Sequence, residues 1–152
     1  MQQDESLGAL TARSWAQVRH QLDSRLGIQL EAPFPQYVDD PVGFSREILG
    51  WDPWEKQEQI GRALVEDQRV TAVSCNGAGK TSWAARLVLW FLMTRRDSTV
   101  VTTAPTWHQV GLLWREVRSA FFAAKFSMKG ELMTTRLAIG PSWYGMGLST
   151  DR

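Results

Sequence analysis

The chain has 152 residues, 43% hydrophobic and 22% charged, a globular composition that excludes a disordered or fibrous chain. A domain of this size buries roughly 70% of the surface its unfolded chain exposes, so it needs neither disulfides nor a structural metal. Cys75 is its one cysteine, and His20 and His108 lie too far apart in sequence for a zinc motif. The net charge of +1 hides an asymmetry. Residues 1–67 carry six basic and twelve acidic side chains, and residues 68–152 carry eleven and four. The second half therefore suits a polyanion such as nucleotide or DNA, the bland alternative being a drift of solvated surface charge. The polar, acidic start is not a secretory signal, and the longest apolar run, residues 87–93, is too short to cross a membrane.

In chain order, residues 14–26 read as an amphipathic helix, with Trp15, Val18, Leu22 and Leu26 at helical spacing and Gly27 as its stop. Pro33 and Pro35 break the loop 31–40. Asp40-Pro41 joins an N-cap to proline at the first helical position and opens a short helix closing near Gly50. The same signal at Asp52-Pro53 opens another over 54–65, with Ile60 and Leu64 inward. Val70, Ala72 and Val73 make residues 69–74 a short apolar run suited to a buried parallel strand. Residues 81–93 follow as a helix apolar nearly all round, as expected inside an α/β core. A strand over 98–103, a long helix over 106–124, and paired strands over 132–139 and 143–149 complete the pattern, the last two turned at Gly140-Pro141. Alternating strands and helices give an α/β class, a parallel sheet with right-handed crossovers flanked by helices, plus an N-terminal helical extension. The eight tryptophans fall mostly in apolar periodic segments, where core packing is their default role.

The chemistry concentrates in Ser74-Cys75-Asn76-Gly77-Ala78-Gly79-Lys80-Thr81. The phosphate-loop pattern G-x-x-x-x-G-K-[ST] is met at Gly79, Lys80 and Thr81, with Ser74 in place of the first glycine and an additional glycine at Gly77. An expected strand leads into it and an expected helix leaves it, which aims backbone N–H groups and a helix N-terminus at an anion. Lys80 then neutralises the β and γ phosphates, and the Thr81 hydroxyl sits on Mg²⁺. Upstream, Trp54 offers a stacking face and Gln57 a donor and acceptor matching the N6 and N7 edge of adenine, which would select ATP. A core anchor with a surface amide is the plainer reading of that pair. Downstream, Thr102, Thr103, Ala104, Pro105 and Thr106 end the second strand and begin a helix, on the side where open α/β sheets hold ligands, and Thr106 also suits a simple helix cap.

Four ordered stretches carry a resemblance over roughly residues 41–152: Pro53 to Gln57, Val73 to Thr81, Thr103 to Thr106, and Trp143 to Asp151. Together they resemble the N-terminal ATPase domain of the large subunit of tailed-phage terminases. The resemblance implies a P-loop NTPase fold and an ATP-driven motor that feeds viral DNA through a portal into a procapsid. It implies double-stranded DNA, a portal protein and a small terminase subunit as partners, and a homo-oligomer on the portal. The setting would be the cytoplasm of an infected bacterial cell, with no membrane role. Carried over, Trp54 and Gln57 belong to the adenine site, residues 74–81 to the triphosphate, Lys80 and Thr81 to catalysis and Mg²⁺, and Thr103 to Thr106 to the coupling of nucleotide state to DNA contact. Residues 1–40 then form the extension and residues 41–152 a partial ATPase domain.

Family members continue past a segment like Ser149-Thr150-Asp151 to an apolar strand ending in Asp-Glu, which holds the Mg²⁺ shell and orients the attacking water. This sequence ends at Arg152, ahead of that strand and of the nuclease domain, and has Cys75 and Asn76 where many members carry an arginine. The expectation is a chain that binds nucleotide and hydrolyses it negligibly alone. Two alternatives remain open: another DNA translocase or helicase of the same superfamily, and a non-catalytic remnant that keeps the sheet without its chemistry.

Overall fold

Each apolar segment must find cover for its side chains and partners for its backbone, and the two demands are met separately in this chain. The computed structural model describes residues 31–67, 69–75 and 77–150. The helix expected over 14–26, Asn76 and Asp151 lie outside them.

A 3₁₀ turn at Pro35–Tyr37 leads into α1 (Pro41–Glu47) and α2 (Glu55–Asp67). Asp40 caps α1 as expected, its carboxylate accepting from the Gly43 amide at 2.8 Å with Pro41 in the first turn. The start of α2 differs. The Trp54 carbonyl accepts its first helical bonds, from the Gln57 and Glu58 amides, while Asp52 pairs with Arg46 at 2.6 Å. Gln57 and Gly61 form the buried face of α2, with Ile60 and Leu64 half-buried beside them. Gly61 admits a close helix contact, since a Cβ there would come within 2.9 Å of the Trp83 indole. Residues 32–40 belong to the same packing unit: the Phe34 amide donates to Met93 O, and its ring stands edge-on to Phe44 at 5.9 Å.

The chain continues through α3 (Lys80–Thr94), β1 (Thr99–Ala104), α4 (Trp107–Ala123), β2 (Glu131–Leu132), β3 (Arg136–Gly140) and β4 (Trp143–Ser149). The class is α/β, with helices against a four-stranded sheet of order β1-β4-β3-β2. The sheet is mixed where a parallel one was expected. β1 and β4 run parallel, with Val101 opposite Met146, but β3 is antiparallel to both its neighbours. The tight turn after Gly140 enforces this, because strands joined by a hairpin cannot run parallel.

The strand expected over 69–74 does not join the sheet. Residues 71–75 are exposed and Val73 is 93% exposed. A strand buried on both faces needs cover on both, yet among the described residues helices cover one face of this sheet. Val100 and Ala104 turn toward the core, whereas Thr99, Val101 and Thr103 are exposed. On the covered face of β4, Gly145 and Gly147 leave room for Trp114, whose Nε1 donates to Thr102 Oγ1 at 3.0 Å.

α3 is buried almost all round, as its composition requires. Trp83, Val88, Leu89, Trp90, Leu92 and Met93 are each at most 6% exposed. The Trp143 indole N–H donates to Leu92 O at 2.8 Å and that of Trp90 to Tyr37 O at 2.7 Å, so these rings bury area without orphaning a donor. The core role expected of tryptophan holds for Trp83, Trp90, Trp114 and Trp143, while Trp54 and Trp107 are more than half exposed. No described helix is long and apolar enough to cross a membrane.

Candidate nucleotide site

A cleft of about 530 Å³ opens between α2, residues 70–74 and the first two turns of α3. That volume lies in the usual range for small-molecule sites. Trp54, Gln57, Ser74, Ala78 and Lys80 all line it, so the base-side and phosphate-side candidates converge across more than 20 positions of sequence. Cys75, Gly77 and Thr81 are exposed beside them. Asn76 lies outside the described residues. Thr103 to Thr106 do not line the cleft.

The loop is shaped by Gly77 and Gly79 at φ of +83° and +76°, a region that costs glycine nothing and a side-chain-bearing residue more. Gly79 is the N-cap of α3 and supplies no side-chain acceptor, so the first-turn amides face no competing side chain. They carry the positive end of the helix dipole. The Lys80 ammonium donates to Ser74 O, Ser74 Oγ and Cys75 O, each at 2.8 Å. All three of its protons are thus held by the loop it closes. Phosphate oxygens arriving there would replace neutral acceptors by charged ones, a stronger class of bond. The exposed Thr81 stands in the same turn, and its hydroxyl would serve as a ligand for a Mg²⁺ that neutralises phosphate charge. Among the described residues no three of His, Cys, Asp and Glu gather closely enough to hold an ion by themselves.

Gln57 has partners that sequence spacing did not reveal. It is 4% exposed, its Oε1 accepts from the Trp54 amide at 3.1 Å, and its Nε2 donates to Gly79 O at 3.1 Å. The chemistry of the partners fixes the amide orientation, since an N–H can only donate and a carbonyl can only accept. The first of these bonds is the reciprocal half of a capping box, a third-position side chain returning to the N-cap amide. Beside it, Trp54 stands 51% exposed at the cleft wall.

Thr103 to Thr106 tie the ends of two strands together. Thr106 Oγ1 accepts from the Gln109 amide at 3.3 Å and caps α4. Ala104 O accepts from the Thr150 amide and Pro105 O from Ser149 Oγ, both at 3.1 Å. A polar strut unread in the sequence joins α3 to α4. Glu116 Oε2 accepts from Ser82 Oγ at 3.0 Å and lies 3.8 Å from Arg86 Nη1. The Arg86 guanidinium stacks over Trp51 at 4.1 Å, and burial pushes its pKa down while Glu116 opposes the shift. Ser82 and Arg86 are one helical turn apart, so their shared face was readable, but no local pattern marks Glu116 as the residue across from it. Comparison of the chain with protein families, with curated proteins and with solved structures finds no match.

Proposed function

We propose that this chain binds a magnesium nucleoside triphosphate through residues 74–81, and that it is the ATPase part of a DNA-packaging motor of the terminase large-subunit kind. The observation that carries the nucleotide reading is the convergence of Trp54, Gln57, Ser74, Ala78 and Lys80 on one cleft at the uncapped N-terminus of α3. The motor reading rests on the order of the four resembling stretches, and its partners follow from it: double-stranded DNA, a portal protein, a small subunit and further copies of the chain.

Among the described residues no carboxylate lines the cleft, so these residues would hold a triphosphate without activating water. Phosphoryl transfer depends on an oriented nucleophile and on neutralised charge. Lys80, Thr81 and the loop amides serve the second need. Glu116, the carboxylate hydrogen-bonded to the first turn of α3, is committed to Ser82 and Arg86. Binding is therefore expected from the chain alone, with negligible turnover.

Calorimetry with Mg²⁺-ATP tests the reading. Lys80→Ala removes at least one charge-assisted bond of about 1.5–3 kcal/mol, so affinity should fall by at least roughly 10- to 150-fold. Equal affinity in the variant would overturn the assignment.

A further inference from the structure

We infer that Gln57 is a latch positioning the phosphate loop and not a reader of the base, so that the site takes ATP and GTP alike. The inference rests on the triphosphate reading above and sharpens its substrate class.

A glutamine that reads adenine must present Oε1 and Nε2 together on one open edge, as a bidentate pair. Here the two atoms are taken from two sides, by the Trp54 amide and by Gly79 O, and the side chain is 4% exposed. Each atom keeps a second hydrogen-bonding position, so it is burial of the side chain, together with these two bonds, that withholds the amide from a base. The bonds instead reach the machinery of the loop. Gly79 O also accepts from the Trp83 amide at 2.9 Å, the first helical bond of α3. Gln57 therefore tethers the carbonyl that starts α3, one residue before Lys80, to the start of α2. Gly79 fits this arrangement doubly: its φ is +76°, and a Cβ would stand 2.7 Å from Gln57 Nε2. The exposed face of Trp54 remains for the base, and an indole stacks on any base, because every base has a π-face.

The test uses the full chain, with ATP, GTP and inorganic triphosphate as separate calorimetric ligands, and amide exchange at Trp83 in the nucleotide-free protein. Gln57→Glu keeps the size and the acceptor for the Trp54 amide but sets a carboxylate oxygen against Gly79 O. The wild type should bind ATP and GTP within about threefold of each other. In Gln57→Glu all three ligands should weaken by one common factor, about tenfold, and Trp83 exchange should accelerate by a similar factor, as one buried bond is replaced by a repulsive contact. A wild-type preference for ATP above about tenfold, collapsing in the variant at unchanged triphosphate affinity, would overturn the latch and make Gln57 a reader. Unchanged Trp83 exchange would overturn it too. The wild-type ratio needs no variant to fold. If none of the three ligands binds the wild type, the triphosphate reading and the indifference to base fall together, while Trp83 exchange still decides the latch.

Discussion

Residues 69–75 and α3 are near neighbours in sequence, both apolar, and the fold treats them in opposite ways. Leu89, Leu92 and Met93 are fully buried, whereas Val73 is 93% exposed. Hydrophobicity does not separate them; the source of their backbone partners does. A helix satisfies its own N–H and C=O groups wherever it lies and needs only side-chain cover, which α1, α2, α4 and the sheet supply. A strand depends on another strand for its hydrogen bonds. Among the described residues no strand pairs with 69–75. The loop at 74–81 thus joins a packed helix to an exposed segment outside the sheet. Its helix end is held by Gln57 and by the buried face of α3, and its entry by the Lys80 ammonium gripping Ser74 and Cys75.

The largest effect should come from cutting α3 away from the sheet. Trp143 is 1% exposed and donates to Leu92 O at 2.8 Å, so Trp143→Ala should cost about 3–5 kcal/mol in denaturant unfolding. A loss below about 1 kcal/mol would show that this contact does not hold the two layers together. A smaller loss should follow from crowding the junction of the same sheet with α4. At Gly147 a Cβ would lie 2.5 Å from both Trp114 Nε1 and Val110 Cγ1, so Gly147→Ala should cost about 1–3 kcal/mol. Trp114→Leu in the same chain should make that penalty shrink without abolishing it, because the ring is one of the two groups the Cβ meets, Val110 being the other. Additive losses in the double variant would place the strain elsewhere.

The contrast also explains how far the sequence could be read. Asp40-Pro41 announced α1 because a cap acts within one turn, and α3 announced itself because its apolar surface runs all the way round. The strand at 69–74 had the right residues and still failed, because strand formation depends on a partner that local pattern cannot supply. The hairpin of β3 and β4 was legible at Gly140-Pro141, but that β4 also meets β1 in parallel, making one mixed sheet, was not, because direction is set by which strands meet. Lys80 and the glycines of the loop were legible from their spacing. Both bonds of Gln57 were not, since one reaches 22 residues along the chain and the other required knowing that α2 starts at Glu55 and not earlier. The Ser82–Glu116 bond, spanning 34 residues, belongs with it.

The smallest expected effect is the sharpest test of the contrast. Val73→Ser should change stability by no more than about 0.5 kcal/mol, because a side chain 93% exposed gives up almost no burial. Were residues 69–75 covered in solution, the same change would forfeit the transfer of a buried valine, about 1.5–3 kcal/mol, and would add a buried hydroxyl needing a partner. Denaturant unfolding separates the two cases. Running it over a range of protein concentrations adds a second axis, since cover supplied by another copy of the chain would make the midpoint fall on dilution. A Val73→Ser loss above about 1 kcal/mol that vanishes on dilution would mean that copies pair through this segment and the contrast with α3 is a property of the isolated chain. A loss of that size independent of concentration would place 69–75 inside the fold and end the comparison. With neither, the entry to the loop at 74–81 faces solvent, and Lys80 is the contact that keeps Ser74 and Cys75 near the start of α3.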